Sequence, residues 1–147
     1  IFGNVFEKSK WIAERLYETR PFNSLETLVL EMIKIYENSD DKTIIKIFNL
    51  HPELAIEKKL TKDSENEQSK ANLKECTIEE FEDFKNLNLI YKNKFKFPFI
   101  IAVKDKTKIE ILNTFKKRIE NSFEVEFKNA KDEVRKIATF RLKELIN

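Results

Sequence analysis

Apolar side chains recur every three or four positions along most of this chain, which is the spacing of one buried face of an α-helix. The clearest series is Leu25, Leu28, Met32 and Tyr36, and it follows Ser24, a residue type that caps helix N-termini. The same spacing predicts further helices: one from Asn4 or Ser9 that stops before Arg20-Pro21, one from Asp40 or Asp41 to His51, and others that begin after Thr77, after Thr107 and near Phe123.

The run from Phe97 to Val103 does not fit this pattern. Its β-branched residues and Pro98 favour extended backbone, yet the sequence offers no clear partner strand. Gly3 is the only glycine, so the chain lacks the turn residues of a β-rich protein. The predicted fold class is therefore all-α: a single compact domain over residues 1–147, with several short helices and an extended apolar segment at 97–103 that lines a pocket.

Three positions carry the spacing of a capping box at a helix start: Ser64 with Glu67, Thr77 with Glu80, and Thr107 with Glu110. The last two lead directly into apolar periodicity and are explained as caps. The segment after Ser64 is so polar that little apolar face remains to hold it in place. We expect another interaction to fix its position.

The charge balance limits the classes of function that the chain can have. Lys and Arg number 28 against 26 Asp and Glu, so the net charge is +2 and the charges are mixed. A nucleic-acid binder usually concentrates positive charge on one face, so we expect no such partner. The lone Cys76 and the absence of a long apolar run favour a cytoplasmic protein without a membrane span. The chain begins with Ile1 rather than Met, so we expect that N-terminal residues are missing.

Two residues are candidates for chemistry. His51 is the only histidine, lies at a predicted helix end before Pro52, and is the natural acid or base near neutral pH. Taken alone, it is more simply a helix-ending histidine whose side chain bonds a backbone carbonyl. Arg141 falls within the apolar stripe of the last helix, between Ile137 and Leu145. It must either extend its charge to solvent or be buried against polar partners, because an unpaired buried charge is costly.

Several blocks follow one another along the chain: His51-Pro52-x-Leu54-Ala55, Leu60-Thr61-x-x-Ser64-x-x-Glu67-Gln68, and Leu87-Asn88-x-x-Tyr91-x-x-Lys94-Phe95-x-Phe97-Pro98-Phe99-Ile100-Ile101. Others are Phe6-Glu7-x-Ser9-x-Trp11-Ile12-Ala13-Glu14, Arg20-Pro21-Phe22 and Arg118-Ile119-x-Asn121. Together they resemble the signature blocks of the 2-oxo-4-hydroxy-4-carboxy-5-ureidoimidazoline (OHCU) decarboxylase family. The sequence departs from the family at Lys96 and Asn72, where glycine is usual, and at Lys10, where proline is usual.

The resemblance implies a carboxy-lyase that converts OHCU to (S)-allantoin in urate catabolism, as a homodimer. The electrons released with CO2 can pass into a C=N bond of the substrate ring, so we expect no cofactor and no metal. It implies catalytic roles for His51 and Glu67. The residues it implies for substrate binding are Pro52, Ser64, Glu65, Asn66, Glu67, Gln68, Phe99, Ile100, Ile101, Ala102, Val103 and Arg141, with Arg118 as an alternative carboxylate partner.

Two other classes of function stay open at this point. The first is a helical binding module that kept the fold without activity. The second is a lyase or hydrolase that uses the same site on another ureide. For the single residues, the simpler interpretations are a capping role for Ser64 and Glu67 and a solvent-directed side chain for Arg141.

Overall fold

Seven α-helices make up the fold in a computed structural model that describes residues 1–55 and 61–146. They are α1 (Lys10–Glu18), α2 (Leu25–Glu37), α3 (Asp41–Leu50), α4 (Lys62–Lys70), α5 (Ile78–Phe95), α6 (Lys108–Arg118) and α7 (Phe123–Ile146). No strand occurs among these residues, so the predicted all-α class is confirmed. Leu60 and Asn147, which belong to predictions made above, lie outside the described residues.

Short polar side chains set most helix starts by accepting N–H groups that have no partner inside the helix. Ser24 caps α2 by accepting from the N–H of Thr27 at 3.0 Å, and Asp40 caps α3 by accepting from the N–H of Thr43 at 2.8 Å. Both predicted capping boxes on α5 and α6 are present: Thr77 with Glu80, and Thr107 with Glu110.

The predicted capping box at Ser64 is wrong. Helix α4 begins three residues earlier, with Thr61 as its cap, and the Thr61 hydroxyl accepts from the N–H of Ser64 at 3.3 Å. The reason is that Thr61 offers an equivalent hydroxyl before a polar turn that is itself helical. Ser64 and Glu67 thus lie inside α4, where their side chains are free to contact other parts of the chain.

The segment from Phe97 to Val103 is neither helix nor strand and is buried along its whole length, as predicted. Its carbonyl groups find side-chain donors: Arg118 donates to the Ile100 oxygen at 2.8 Å, and Lys106 donates to the Ala102 oxygen at 2.7 Å. None of its N–H groups from residue 99 to 103 donates to another described residue. These amides are therefore available to a bound molecule.

Helix α7 crosses the core and carries Arg141 into it. Its buried face includes Ala130, Val134, Ala138 and Leu142, as the apolar stripe predicts. Leu145 was expected on the same stripe but is about half exposed, because the last turn of α7 runs past the packed core. None of the described helices has the length and hydropathy needed to cross a bilayer.

The backbone at the end of α5 explains why glycine is usual in the family at the position of Lys96. Lys96 has the left-handed backbone angles φ 65° and ψ 22°, which cost a side chain-bearing residue about 1–2 kcal/mol and which glycine adopts readily. We expect Lys96→Gly to raise the free energy of unfolding by about 1 kcal/mol in a denaturant titration. In the control, Lys85→Gly in the middle of α5 should lower it by about 1 kcal/mol. A Lys96→Gly protein no more stable than wild type would contradict this account.

Candidate active site

His51 ends α3 with its side chain inside the protein. Its N–H donates to the carbonyl of Phe48 at 3.1 Å, and its backbone leaves the helix with φ −71° and ψ 141°, as the following Pro52 requires. The imidazole is only 8% exposed, and Nε2 has no hydrogen-bond partner among the described residues. Buried polar atoms without partners are rare in native proteins, so this nitrogen marks a candidate site.

The imidazole faces a small cavity of about 30 Å³. This His51 cavity is lined by His51, Pro52, Leu54, Ser64, Glu67, Gln68, Phe99, Ile100, Ile101, Val103 and Ile137. Most of the predicted site residues therefore meet here, from the end of α3, from α4 and from the segment after α5. The volume suits one or two water molecules rather than a substrate.

A larger cavity of about 360 Å³ adjoins the first and shares Glu67, Val103 and Ile137 with it. This outer cavity is lined by Asp63, Asn66, Glu67, Lys70, Ala102, Val103, Lys104, Asp105, Lys106, Ile137, Phe140, Arg141 and Glu144. The predicted residues Asn66, Ala102 and Arg141 thus face the outer cavity. Glu67 stands between the two and is accessible from both.

The structure does not bring Glu65 into the site. On a helix, Ser64 and Gln68 share a face one turn apart, whereas Glu65 points away from that face. Its carboxylate pairs with Lys74 at 2.5 Å on the protein surface, and it lines neither cavity. The expectation that Glu65 contacts substrate through its side chain therefore has no support in the geometry.

Gln68 fixes the backbone that follows His51. Its Oε1 accepts from the N–H of Ala55 at 3.2 Å, and its Nε2 donates to the carbonyl of Glu53 at 3.3 Å. The amide therefore ties α4 to the loop after α3. This tie explains how so polar a helix keeps its place beside His51.

The guanidinium of Arg141 is buried and surrounded by acceptors. Its Nε donates to Glu67 at 2.7 Å, its Nη2 donates to Glu7 at 2.8 Å, and its Nη1 donates to the carbonyl of Asn4 at 3.1 Å. Longer contacts of 3.2 Å and 3.5 Å join it to the Ser64 hydroxyl and the Val5 carbonyl. The side chain is 4% exposed, so it does not extend to solvent.

Glu7 also belongs to this cluster and is not among the site residues predicted from the sequence. Its Oε2 accepts from Arg141 and from the hydroxyl of Ser64, both at 2.8 Å, and the residue is 2% exposed. The available signal was a carboxylate directly after Val5 and Phe6, both of which are buried. Because a buried arginine needs an acidic partner, that carboxylate was a candidate.

The electrostatics of the site keep His51 neutral. Burial lowers the pKa of His51 to about 4, with a further lowering by the positive charge of Arg141 that the negative charge of Glu7 opposes. At neutral pH the imidazole is therefore uncharged. It can accept a proton before it donates one.

The two carboxyl groups that hold Arg141 differ in their proton affinity. Burial raises the pKa of Glu67, helped by the charges of Glu7 and Asp63 and opposed by Arg141. Burial alone would also raise the pKa of Glu7, but its interactions with Thr61, Arg141 and Ser64 outweigh burial and lower it. Glu7 is thus the fixed charge of the cluster, and Glu67 the group closer to titration.

The low pKa of His51 makes stability depend on pH. The unfolded chain takes up a proton at about pH 6.5 and the folded protein only near pH 4, so acid favours unfolding between these values. Between these two pH values, we expect the free energy of unfolding to fall by about 3 kcal/mol more for wild type than for His51→Asn. Denaturant titrations of both proteins at intervals between pH 7 and about pH 4 measure the difference. Parallel curves would contradict a buried neutral imidazole.

Arg118, the alternative carboxylate partner, lies away from both cavities. It pairs with the buried Glu126 at 2.9 Å, and Glu126 also accepts from the Tyr91 hydroxyl at 2.5 Å. The guanidinium of Arg118 also lies over the Phe99 ring, 4.4 Å from its centroid. Arg118 therefore supports the 97–103 segment from behind, because its partners lie within the core.

Among the described residues, no group of three or more His, Cys, Asp or Glu side chains is arranged to hold a metal ion. The ionisable groups closest to His51 are instead the carboxylate of Glu67 and the guanidinium of Arg141, which the carboxylate of Glu7 also holds. The outer cavity is lined in addition by the charged residues Asp63, Lys70, Lys104, Asp105, Lys106 and Glu144. This set can transfer protons and hold a polar small molecule.

The sequence and the fold place the chain in a known family. The OHCU decarboxylase family model matches residues 1–143, and the chain belongs to this family. It is 36% identical over 143 residues to the 2-oxo-4-hydroxy-4-carboxy-5-ureidoimidazoline decarboxylase of Haloferax volcanii, covering 97% of this chain and 85% of that protein.

Two further comparisons agree with this assignment. The chain is 43% identical over 145 residues to a uric acid degradation bifunctional protein of Bacillus sp. (strain TB-90), covering 99% of this chain and 29% of that protein. It therefore spans under a third of that relative. A crystal structure of OHCU decarboxylase in the presence of (S)-allantoin matches with a TM-score of 0.80 and 26% identity, over 97% of this chain and 95% of that one.

Proposed function

We propose that this chain decarboxylates OHCU to (S)-allantoin without a cofactor, as a step of urate catabolism. The observation that carries the proposal is the buried, unpartnered Nε2 of His51 in a cavity that also contains Glu67 and Gln68. A buried neutral imidazole beside an Arg-held carboxylate is an arrangement suited to moving protons on a polar ring.

The unpaired amides of the 97–103 segment support binding of a ureide. OHCU carries carbonyl oxygens on its ring and on its ureido group, and both accept hydrogen bonds. The free N–H groups from Phe99 to Val103 supply donors along one wall of the cavity. Asn66 lines the outer cavity and Pro52 lines the His51 cavity, where they would limit the orientation of the ligand.

The chemistry follows from the substrate. The bond between C4 and the carboxylate breaks, and its electron pair forms a double bond between C4 and C5. The π pair of the adjacent C5=N bond moves onto the nitrogen, which takes a proton from solvent. The hydroxyl on C4 then loses its proton and becomes a carbonyl, while C5 gains a proton on one face. His51 accepts the proton that leaves the C4 hydroxyl and returns a proton to C5. Glu67 holds the hydroxyl in place during the transfer.

Arg141 acts in this proposal chiefly through Glu67. Its strong donors already contact Glu67, Glu7 and the Asn4 carbonyl. The guanidinium therefore fixes the orientation of the Glu67 carboxylate and favours its charged form. A substrate oxygen in the outer cavity would share this guanidinium rather than occupy it alone.

A direct assay tests the activity. Freshly generated OHCU absorbs in the ultraviolet, and its loss is followed with and without the protein. We expect the protein to accelerate the loss, and we expect treatment with a chelator to leave that rate unchanged. Loss at the spontaneous rate would overturn the proposal, and inactivation by the chelator with rescue by zinc would favour a metal-dependent hydrolase.

The assembly and location belong to the same proposal. We infer a homodimer from the family resemblance, and a cytoplasmic location from the free thiol of Cys76. Sedimentation at micromolar concentration should give the mass of a dimer. The mass of a monomer would contradict the inferred assembly.

A further inference from the structure

Glu7 occupies a central place behind the His51 cavity. It comes from the segment that precedes α1, yet its Oε2 joins α7 through Arg141 and α4 through Ser64. Ser64 lines the His51 cavity directly. Glu7 is therefore one hydrogen bond removed from the wall that faces the imidazole.

Two buried polar atoms in this region lack a hydrogen bond of good geometry among the described residues: Oε1 of Glu7, whose carboxylate the Thr61 hydroxyl approaches, and Nε2 of His51. A buried acceptor without a partner lowers stability, so such atoms usually have a functional reason. Glu67 already contacts the guanidinium of Arg141. One carboxylate is enough to pair the charge of a single arginine. The second buried carboxylate, Glu7, therefore calls for another explanation.

We propose that Glu7 is a positioning residue of the site: it holds Arg141 and Ser64 by hydrogen bonds and provides a fixed negative charge near His51. This inference rests on the proposed decarboxylase function. The pKa of the Glu7 carboxyl is lowered, so Glu7 keeps a negative charge in this cluster that opposes the positive charge of Arg141. That charge favours the imidazolium that forms when His51 accepts a proton.

The charges around the imidazole support this role. Glu7 raises the pKa of His51 and Arg141 lowers it, and both act on a group whose pKa burial has already lowered. The other charged groups that line the two cavities are Asp63, Glu67 and Lys70 on α4, Lys104, Asp105 and Lys106 after the 97–103 segment, and Glu144 on α7. Without Glu7, the positive charge of Arg141 would act on His51 with less compensation, so protonation of the imidazole would become harder.

The kinetic test uses Glu7→Gln, which keeps the size of the side chain and removes its charge. We expect kcat for OHCU to fall about 10- to 100-fold, as for loss of a charged hydrogen bond, with KM changed less than threefold. The control is Ile111→Val, a mild core substitution on α6 away from both cavities, which should keep wild-type kcat. A Glu7→Gln protein with wild-type kcat would overturn the proposal.

A second readout is independent of activity. Because His51 is the only histidine, its titration by NMR is free of overlap with other imidazoles. Glu7→Gln should move the midpoint to lower pH than in wild type, and an unmoved midpoint would overturn the electrostatic part of the proposal. This titration tests the effect of Glu7 on His51 whether or not wild type is active on OHCU. An inactive wild type would contradict the proposed function and leave this test of Glu7 intact.

Glu7→Asp covers the case in which the Gln variant does not fold. It keeps the charge but withdraws the carboxylate by one methylene from Arg141 and Ser64. We expect a midpoint for His51 close to that of wild type and a reduced kcat. Wild-type kcat in this variant would show that the contacts of Glu7 are dispensable and would overturn its positioning role.

Discussion

Replacement of His51 by asparagine is expected to lower kcat for OHCU by about 10²- to 10⁴-fold, the usual contribution of a general acid or base. Asparagine keeps a polar side chain of similar size at the end of α3, but it cannot carry a proton between two positions of the substrate. Burial lowers the pKa of the wild-type imidazole and leaves it uncharged at neutral pH, which is the form that can accept a proton. The loss should therefore appear in kcat.

Steady-state kinetics of the purified variant measure this effect. The matched control is Asn49→Ala, two residues earlier on α3, where the side chain is exposed and contacts neither cavity. It should retain wild-type kcat. A His51→Asn protein that keeps more than a tenth of wild-type activity would exclude the role assigned to His51.

Arg141→Lys is expected to lower kcat about 10- to 100-fold while the protein stays folded. Lysine keeps the positive charge but loses the planar fork. One ammonium group cannot reach Glu67, Glu7 and the Asn4 carbonyl in the directions that the guanidinium uses. Glu67 would then lose its fixed orientation beside His51.

Kinetics and a thermal melt of Arg141→Lys separate activity from stability. Arg135→Lys is the control, because Arg135 lies on the same helix, is about half exposed, and its ion pairs with described residues are long, at 3.7 Å and 3.9 Å. It should match wild type in both measurements. Normal turnover by Arg141→Lys would contradict the role of the guanidinium, and Arg118 could not replace it, since its donors are held by Glu126 and the Ile100 carbonyl.

Local sequence signals predicted most of the fold. Ser24, Asp40 and the two capping boxes mark helix starts because capping depends on residues three positions apart. Pro52 marks the end of α3 because proline restricts the residue before it. These signals are short in range, so they can be read from sequence without knowledge of the packing.

The start of α4 shows the limit of such signals. Thr61 and Ser64 both have the residue type of a cap, and local spacing favoured Ser64 because Glu67 completes a capping box. In the structure Ser64 is instead used by Glu7, 57 positions away. The Thr61 cap leaves the Ser64 side chain free for this long-range contact, which the local pattern could not predict.

The candidate site was predicted unevenly for the same reason. The positions of His51, Gln68 and the 97–103 segment follow from family blocks and helix ends. The contact between Arg141 and Glu7 could not be predicted in this way, because Glu7 lies 134 positions earlier and shares no periodic pattern with α7. Glu65 was included because it sits within a block, although helical geometry turns it to the surface.

The most direct test of the account is the chirality of the product. Freshly generated OHCU should be incubated with the protein and followed by circular dichroism until the reaction is complete. The account predicts loss of OHCU faster than its spontaneous decay and a final spectrum of (S)-allantoin, because His51 returns the proton to one face of C5. Decay at the spontaneous rate, or a racemic product, would contradict it.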